Sequence, residues 1–287
     1  MEMISRRRFV SLAALVAAIP AGLAGCTPRA TSGAGSGSAA VAAPAAGADT
    51  LRVGVRADVV GFGYLNERTG KFYGLEIDIA NELAERLGYR DVAFTTVTPD
   101  DRKEILLDGQ VDALVACYSI AESRLKNFDF SPAYYDDAVI AVVENSSLIA
   151  SVEDLVGRTF GTMAGSNAAP LLSVKLYEEG FTSGEPLQAN EDNSDVTFDT
   201  WRLRQYASYQ ELSDALEVGE VDAMVLDGAI AHTYMNDERS ILEGFTVEEV
   251  SYGVATIKDS ELSARVAEAV QAMLDDGTID ALVDKWN

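Results

Sequence analysis

The heptapeptide Gly109-Gln110-Val111-Asp112-Ala113-Leu114-Val115 returns 110 residues later as Gly219-Glu220-Val221-Asp222-Ala223-Met224-Val225, with five identities. Each copy follows a short helical stretch, Asp100 to Leu107 and Ser208 to Leu216, that ends in glycine. Each continues as a mostly apolar, β-branched segment of the kind found in buried parallel strands. A helix, a C-terminal glycine and a strand used twice point to two lobes on one plan; the alternative is a chance likeness between two such joins. Strands of such sheets end at the crevice where ligands bind. The first copy runs into Cys117-Tyr118-Ser119 and the second into Asp227, so two polar strand ends are expected to face each other across a cleft.

Residues 1–25 read as an export signal peptide. Ser5-Arg6-Arg7-Arg8-Phe9-Val10 resembles a twin-arginine motif, with an ordinary basic leader as the alternative. The apolar run from Phe9 to Ile19 is too short to span a bilayer as a stable helix. Leu23-Ala24-Gly25-Cys26 has the form of a bacterial lipobox, so Cys26 is expected to be acylated and to become the new N-terminus. Residues 26–49 are almost wholly Ala, Gly, Ser, Thr and Pro, with no large apolar side chain beyond Val41. Such a segment cannot form a core and reads as a lipidated, flexible tether, with a typical span of roughly 25 Å.

The remaining stretch, about 240 residues, suits one large domain or two small ones. The chain carries a formal charge of −24, and loss of the arginine-rich leader makes it more negative. A surface of that sign argues against nucleic acid and anionic headgroups as partners. Once Cys26 is acylated, Cys117 is the one cysteine left, so no intramolecular disulfide is expected. The single histidine, His232, lies in a helical stretch without Cys or His neighbours. Metal sites and Ser-His chemistry therefore have nothing to build on, and no metal or cofactor is implied.

Leu51 to Val55 reads as a strand, followed by a Gly/aromatic turn (Gly61-Phe62-Gly63-Tyr64). Apolar residues at 75, 79, 80, 83, 84 and 87 predict an amphipathic helix over Leu75 to Leu87. Strands are expected at Val92 to Val97, Ala138 to Val143 and Gly253 to Thr256, with a helix at Glu261 to Leu274 and a short turn at Ile279 to Val283. The polar stretch 185–200 reads as a solvated surface insertion. Its run Asn190-Glu191-Asp192-Asn193-Ser194-Asp195 lacks the glycine turn of an EF-hand calcium loop.

Leu51-Arg-Val-Gly-Val55, Gly74-Leu-Glu-Ile-Asp-Ile-Ala80, Tyr118-Ser-Ile-x-x-x-Arg124 and Phe128-x-Phe-Ser-x-x-Tyr-Tyr135, with the two heptapeptides, Gly161-x-x-x-Gly-Ser166 and Asp276-Gly-Thr278 through Trp286, carry a resemblance. The chain resembles the bacterial extracellular solute-binding proteins of family 3, which present amino acids to ABC importers, and its pattern is most similar to the glutamate/aspartate-binding group. The resemblance covers residues 51–287 in order, except for the insertion near 185–200. It implies an α/β, two-lobed, periplasmic-binding-protein-like (Venus flytrap) fold. Each lobe would be a mostly parallel sheet flanked by helices, with 50–143 plus 251–287 forming lobe 1 and 144–250 forming lobe 2. A two-strand hinge would cross near Val143-Glu144-Asn145 and Glu249-Val250-Ser251.

A free amino acid presents an ammonium and a carboxylate, both costly to desolvate unless paired. The resemblance implies that Arg124 grips the α-carboxylate, a bidentate task suited to arginine. Ser119, the Cys117 backbone and the N–H groups of the Gly165-Ser166-Asn167 turn would complete that site. Asp227 would pair with the ammonium; its structural alternative is to cap the following helix. Arg56 and Arg102 stand at positions that are arginine in the acidic-ligand group, which points to glutamate or aspartate. Their alternatives are an ion pair of Arg56 with Asp58 or Glu76, and a solvated helix face for Arg102. Phe62, Tyr64 and Tyr118 are candidate walls or core, whereas Val59 and Pro99 stand where many relatives carry stacking rings.

Three function classes follow. The first is a non-enzymatic, monomeric, lipid-anchored receptor on the outer face of the membrane, closing on an amino acid and handing it to an importer permease. The second is a cyclohexadienyl-dehydratase-like enzyme on the same fold, which needs a general acid in the cleft. The third is an amino-acid-sensing surface protein without a transporter.

Overall fold

The computed structural model describes residues 49–286; the leader, Cys26 and most of the tether lie outside the described residues. The first lobe comprises β1 (Thr50–Val55), β2 (Asp58–Val59), β3 (Gly63–Asn66), β4 (Lys71–Tyr73), α1 (Leu75–Leu87), β5 (Asp91–Thr96), α2 (Arg102–Leu107), β6 (Ala113–Val115) and β7 (Phe128–Phe130). After β8 (Tyr135–Glu144) come β9 (Thr159–Met163), α3 (Ala168–Glu178), β10 (Gln188–Ala189), β11 (Asp195–Thr197) and β12 (Arg202–Tyr206). The second lobe continues with α4 (Tyr209–Glu217), β13 (Ala223–Asp227), α5 (Gly228–Tyr234) and β14 (Arg239–Tyr252). The chain returns to the first lobe through β15 (Ala255–Ile257), α6 (Glu261–Asp275) and α7 (Thr278–Trp286).

The two large sheets run β5-β1-β6-β15-β7 and β10-β11-β12-β9-β13-β8-β14, and β2-β3-β4 form a small third. Their centres match: β1 lies between parallel β5 and β6, and β9 between parallel β12 and β13. Outside those triplets the strands are antiparallel, so the sheets are mixed rather than mostly parallel. Two features cause this: β8, β14 and β15 reverse direction as the chain passes between lobes, and β10 and β11 add an antiparallel edge to the second sheet. The expected lobe edges at 143 and 250 fall inside this ladder. β8 pairs with β14 from Tyr135↔Tyr252 to Arg239↔Glu144, and Val139, Ala141 and Val142 are buried in the second lobe. The sheets part instead between Phe130 and Tyr135 and between Tyr252 and Ala255.

Helix α1 spans its predicted residues. Glu76 and Asp78 occupy its first turn, where the helix dipole favours anions, and Gly88 caps it in the left-handed region at φ 83. The central strand of each lobe carries a glycine where a side chain has no room. A Cβ on Gly54 would come within 2.6 Å of Leu114, and one on Gly161 within 2.5 Å of Leu212 and 3.0 Å of Val221. Two places depart from expectation. Residues 188–197 form the β10–β11 hairpin on the sheet edge, its turn closed by Asn190 accepting from the Asp195 N–H. Strands of two and three residues are too short to leave a periodic signal. Thr278–Trp286 is a helix rather than a turn, anchored by Trp286 Nε1 and Lys285 Nζ donating to Asp78 at 2.7 and 2.6 Å.

Candidate functional site

The ends of β1, β6 and β13 converge on the cleft between the sheets, and the lobes touch across it. Val60 N–H donates to Thr233 Oγ1 at 3.2 Å, and a Cβ on Gly165 would lie 2.6 Å from the Pro99 carbonyl. Three guanidiniums sit in this seam. Arg56 is 1% exposed and holds Asp58 through two bonds of 3.0 and 2.7 Å, with Tyr209 of the second lobe 5.3 Å below its guanidinium. Burial opposes the Arg56 charge, but Asp58 and Tyr209 keep its pKa above the ordinary value.

Arg102 is 3% exposed and donates through Nη1 to the carbonyls of Ala116 and Cys117 at 2.7 and 3.2 Å. Among the described residues it makes no ion pair. Burial, then repulsion from Arg56, depresses its pKa. Arg124 donates to the Ser119 carbonyl at 2.6 Å and likewise pairs with no carboxylate among the described residues; burial, then Arg102, lowers it to about 10. Both guanidiniums lie on the Tyr118 ring, at 4.3 and 4.2 Å from its centroid. Among the described residues the buried atoms Arg56 Nη1 and Arg102 Nε have no hydrogen-bond partner. Buried Arg239 is the contrast: it bonds Glu144, Ser213 and the Tyr234 carbonyl. A satisfied arginine is architecture, whereas unfilled buried donors are costly unless an acceptor arrives.

Asp227 ends β13 and is 7% exposed. It occupies the N-cap position of α5 but makes no side-chain cap bond, so the structural alternative for it does not hold. Its Oδ2 lies 2.8 Å from the Tyr252 hydroxyl. Burial, and then Asp137 against the bonding effect of Tyr252, raises it to about 6.

The other sequence-predicted residues divide. Tyr118 and Ser119 are at the seam, Tyr118 as the platform for both arginines. Phe62 is buried edge-on to Tyr135 with centroids 4.8 Å apart, forming an aromatic wall with Tyr252. Ser166 turns inward on its own loop, donating to the Met163 carbonyl and accepting from Ala168 N–H. Asn167 precedes α3 without a side-chain cap bond. At Cys117 the N–H is taken by Glu76 Oε1 at 2.5 Å, which leaves that donor unavailable to a carboxylate, while the carbonyl accepts from Arg102 at 3.2 Å. Glu76, fully buried at the start of α1, collects Cys117 N–H and the Tyr134 hydroxyl. Arg102, expected either at the site or on a solvated face, is buried at the seam. Sequence reasoning missed Asp137 and Tyr252, both of which contact the Asp227 neighbourhood; neither carries a motif. Two openings flank the seam: one of about 280 Å³ beside Tyr118, Arg124 and Gly165, and one of about 760 Å³ between Asp58 and Tyr234.

The model of the family described as bacterial extracellular solute-binding proteins, family 3, matches residues 51–287. The chain belongs to that family. It is 29% identical over 242 residues to the ABC transporter glutamine-binding protein GlnH of Bacillus subtilis strain 168, covering 83% of this chain and 81% of the relative. It is 30% identical over 245 residues to the L-cystine-binding protein TcyJ of Escherichia coli strain K12, covering 83% and 82%. Among solved structures, an ancestral arginine-binding protein bound to arginine superposes with TM-score 0.67 at 31% identity, covering 83% of this chain and 98% of that one. These relatives are binding proteins, and membership makes this solute-binding protein a receptor rather than an enzyme. No helix among the described residues is long and apolar enough to cross a membrane.

Proposed function

We propose that the protein captures a free amino acid with an acidic side chain between its lobes and delivers it to the permease of an ABC importer. Relatives that bind glutamine, cystine and arginine support the amino-acid class. The acidic side chain rests on Arg102. An α-carboxylate on Arg124 would answer one of the two guanidiniums that lack a carboxylate, and Asp58 already neutralises Arg56. Arg102 remains, buried, with an unfilled Nε donor. A buried cation is strongly disfavoured without a counter-ion, and a second carboxylate supplies one. In this assignment Asp227 receives the ammonium and Tyr118 orients both arginines. Cys26 would tether the receptor to the outer face of the membrane.

Calorimetry with glutamate, aspartate, glutamine, asparagine and arginine tests the ligand class. Tighter binding of an amide or of arginine than of either acid would overturn the acidic assignment and leave the amino-acid receptor standing. Loss of membrane association in Cys26→Ser tests the anchor.

A further inference from the structure

Asp227 heads helix α5 yet does not cap it. Asp137, on neighbouring β8, does so instead: its Oδ2 accepts from Ala229 N–H at 3.0 Å, while its Oδ1 accepts from Ala138 N–H at 2.8 Å. The Tyr252 hydroxyl stands between the two carboxyls, 2.7 Å from Asp137 Oδ2 and 2.8 Å from Asp227 Oδ2. A phenol has one proton to donate. With both carboxyls ionised, one of these short contacts would join two oxygens with no hydrogen between them. The chain Asp137–Tyr252–Asp227 therefore holds a second proton. Asp137 accepts from two backbone N–H groups, whereas among the described residues Asp227 has no hydrogen-bond partner except Tyr252. The proton sits on Asp227, which donates to Tyr252 Oη, and Tyr252 donates to Asp137.

We propose that Tyr252 and Asp137 are positioning residues of the ammonium site, and that in mildly acidic solution capture of an amino acid expels one proton from this chain. The proposal rests on the amino-acid assignment above. When the ligand ammonium arrives, the Asp227 O–H bond breaks, the proton leaves to solvent, and the carboxylate pairs with the intact ammonium. One positive charge enters as another departs, so no uncompensated charge is buried. The other groups facing Asp227 are Arg102 from α2 and Arg124 from the turn after Ser119, both favouring its ionised form. Tyr209 from α4 and Cys117 after β6 also face it; burial keeps both protonated. Tyr135, stacked on Tyr252 at 6.0 Å, is likewise held protonated by burial and Asp137. With the ligand-free midpoint of Asp227 near 6, affinity should fall about tenfold per pH unit below that midpoint and be flat above it.

Two measurements test this. Carbon-13 NMR of aspartate carboxyls in the ligand-free protein, with the Asp227 signal assigned by its loss in Asp227→Asn, should show a midpoint near 6. Asp137→Ala removes the acceptor that holds the phenol proton, freeing Tyr252 to donate to Asp227, and should lower that midpoint by about one unit. The same substitution in a Tyr252→Phe background should shift it by less than about half as much, because the bridge is gone. Melting curves verify the fold of each variant. Calorimetry at about pH 5.5 in two buffers of different ionisation enthalpy, with L-glutamate, L-glutamine and L-arginine as probes, should show most of one proton released per amino acid bound. Asp137→Ala should release about a third or less. A wild-type midpoint below about 4.5, or binding without proton release, overturns the proposal alone. If none of the three amino acids binds, the amino-acid assignment falls and the coupling with it, whatever the carboxyl titration shows.

Discussion

In the first lobe Asp112 accepts from the backbone N–H of Arg52 at 2.9 Å and pairs with that residue's guanidinium, while its own N–H returns to the Arg52 carbonyl at 2.8 Å. In the second, Asp222 accepts from Thr159 N–H at 2.9 Å, pairs with Arg158 at 3.2 Å and returns its N–H to the Thr159 carbonyl at 2.8 Å. The helices before them are capped alike. Thr98 Oγ1 accepts from Asp101 N–H at 3.3 Å, and Ser208 Oγ from Glu211 N–H at 3.1 Å. Each duplicated aspartate thus staples one parallel strand to the next. The copies part where they reach the seam: Arg102 stands where the second copy has Leu212, and Cys117 where it has Asp227. Shared residues hold the backbone, and divergent ones carry charge to the cleft.

The divergent positions should give the largest effects. Arg102→Leu gives the first copy the side chain of the second. It should weaken an acidic amino acid by about 2–5 kcal/mol without loss of thermal stability, since a buried cation without a counter-ion is removed. Equal weakening of glutamate and glutamine would remove Arg102 from the side-chain site.

Asp227→Asn comes next. The native carboxyl titrates near 6 against 3.8 in an open chain, so the stability contributed by its proton is complete below the open-chain value and lost as pH rises toward 6. At pH 7 the ligand-free asparagine variant should be more stable by roughly 3 kcal/mol. Its stability should lose that pH dependence in urea titrations between pH 4 and 7. Unchanged pH dependence would mean that Asp227 is ionised throughout.

The shared positions are expected to cost stability and to spare ligand choice. Asp112 is almost closed to solvent, with a side chain 2% exposed, and Asp222 is 26% exposed. Asp112→Ala should therefore lose about 3 kcal/mol and Asp222→Ala about 1–2 kcal/mol, read from denaturation midpoints. Equal losses would show that burial does not set the difference. Removing a cap, Thr98→Ala or Ser208→Ala, should cost about 1 kcal/mol in either lobe.

What could be read from the sequence follows this division. The duplicated unit, helix α1 and the α6 helix rest on local periodicity and capping, which one segment carries by itself. Arg124 and Tyr118 were legible because they sit in a motif. The hairpin at 188–197 and helix α7 were not: the first has strands too short for a period, and the second is held by Asp78, more than 200 residues away. That the Cys117 N–H is already taken could not be read without seeing Glu76 beneath it. Asp137 and Tyr252 belong to strands on either side of the crossing, and only the registers of β8 with β13 and with β14 bring them beside Asp227.

The segments that cross between lobes are fastened to each other. Ser131 N–H donates to the Val254 carbonyl at 2.9 Å, Val254 N–H returns to Ser131 Oγ at 3.0 Å, and Tyr134 N–H binds the Tyr252 carbonyl at 2.9 Å. Two strands clipped in this way bend as one ribbon and cannot slide independently, so opening has a single coordinate. Solute exchange is then expected to relax as one exponential in stopped-flow fluorescence, with a rate set by how readily the ribbon flexes rather than by how tightly the cleft grips.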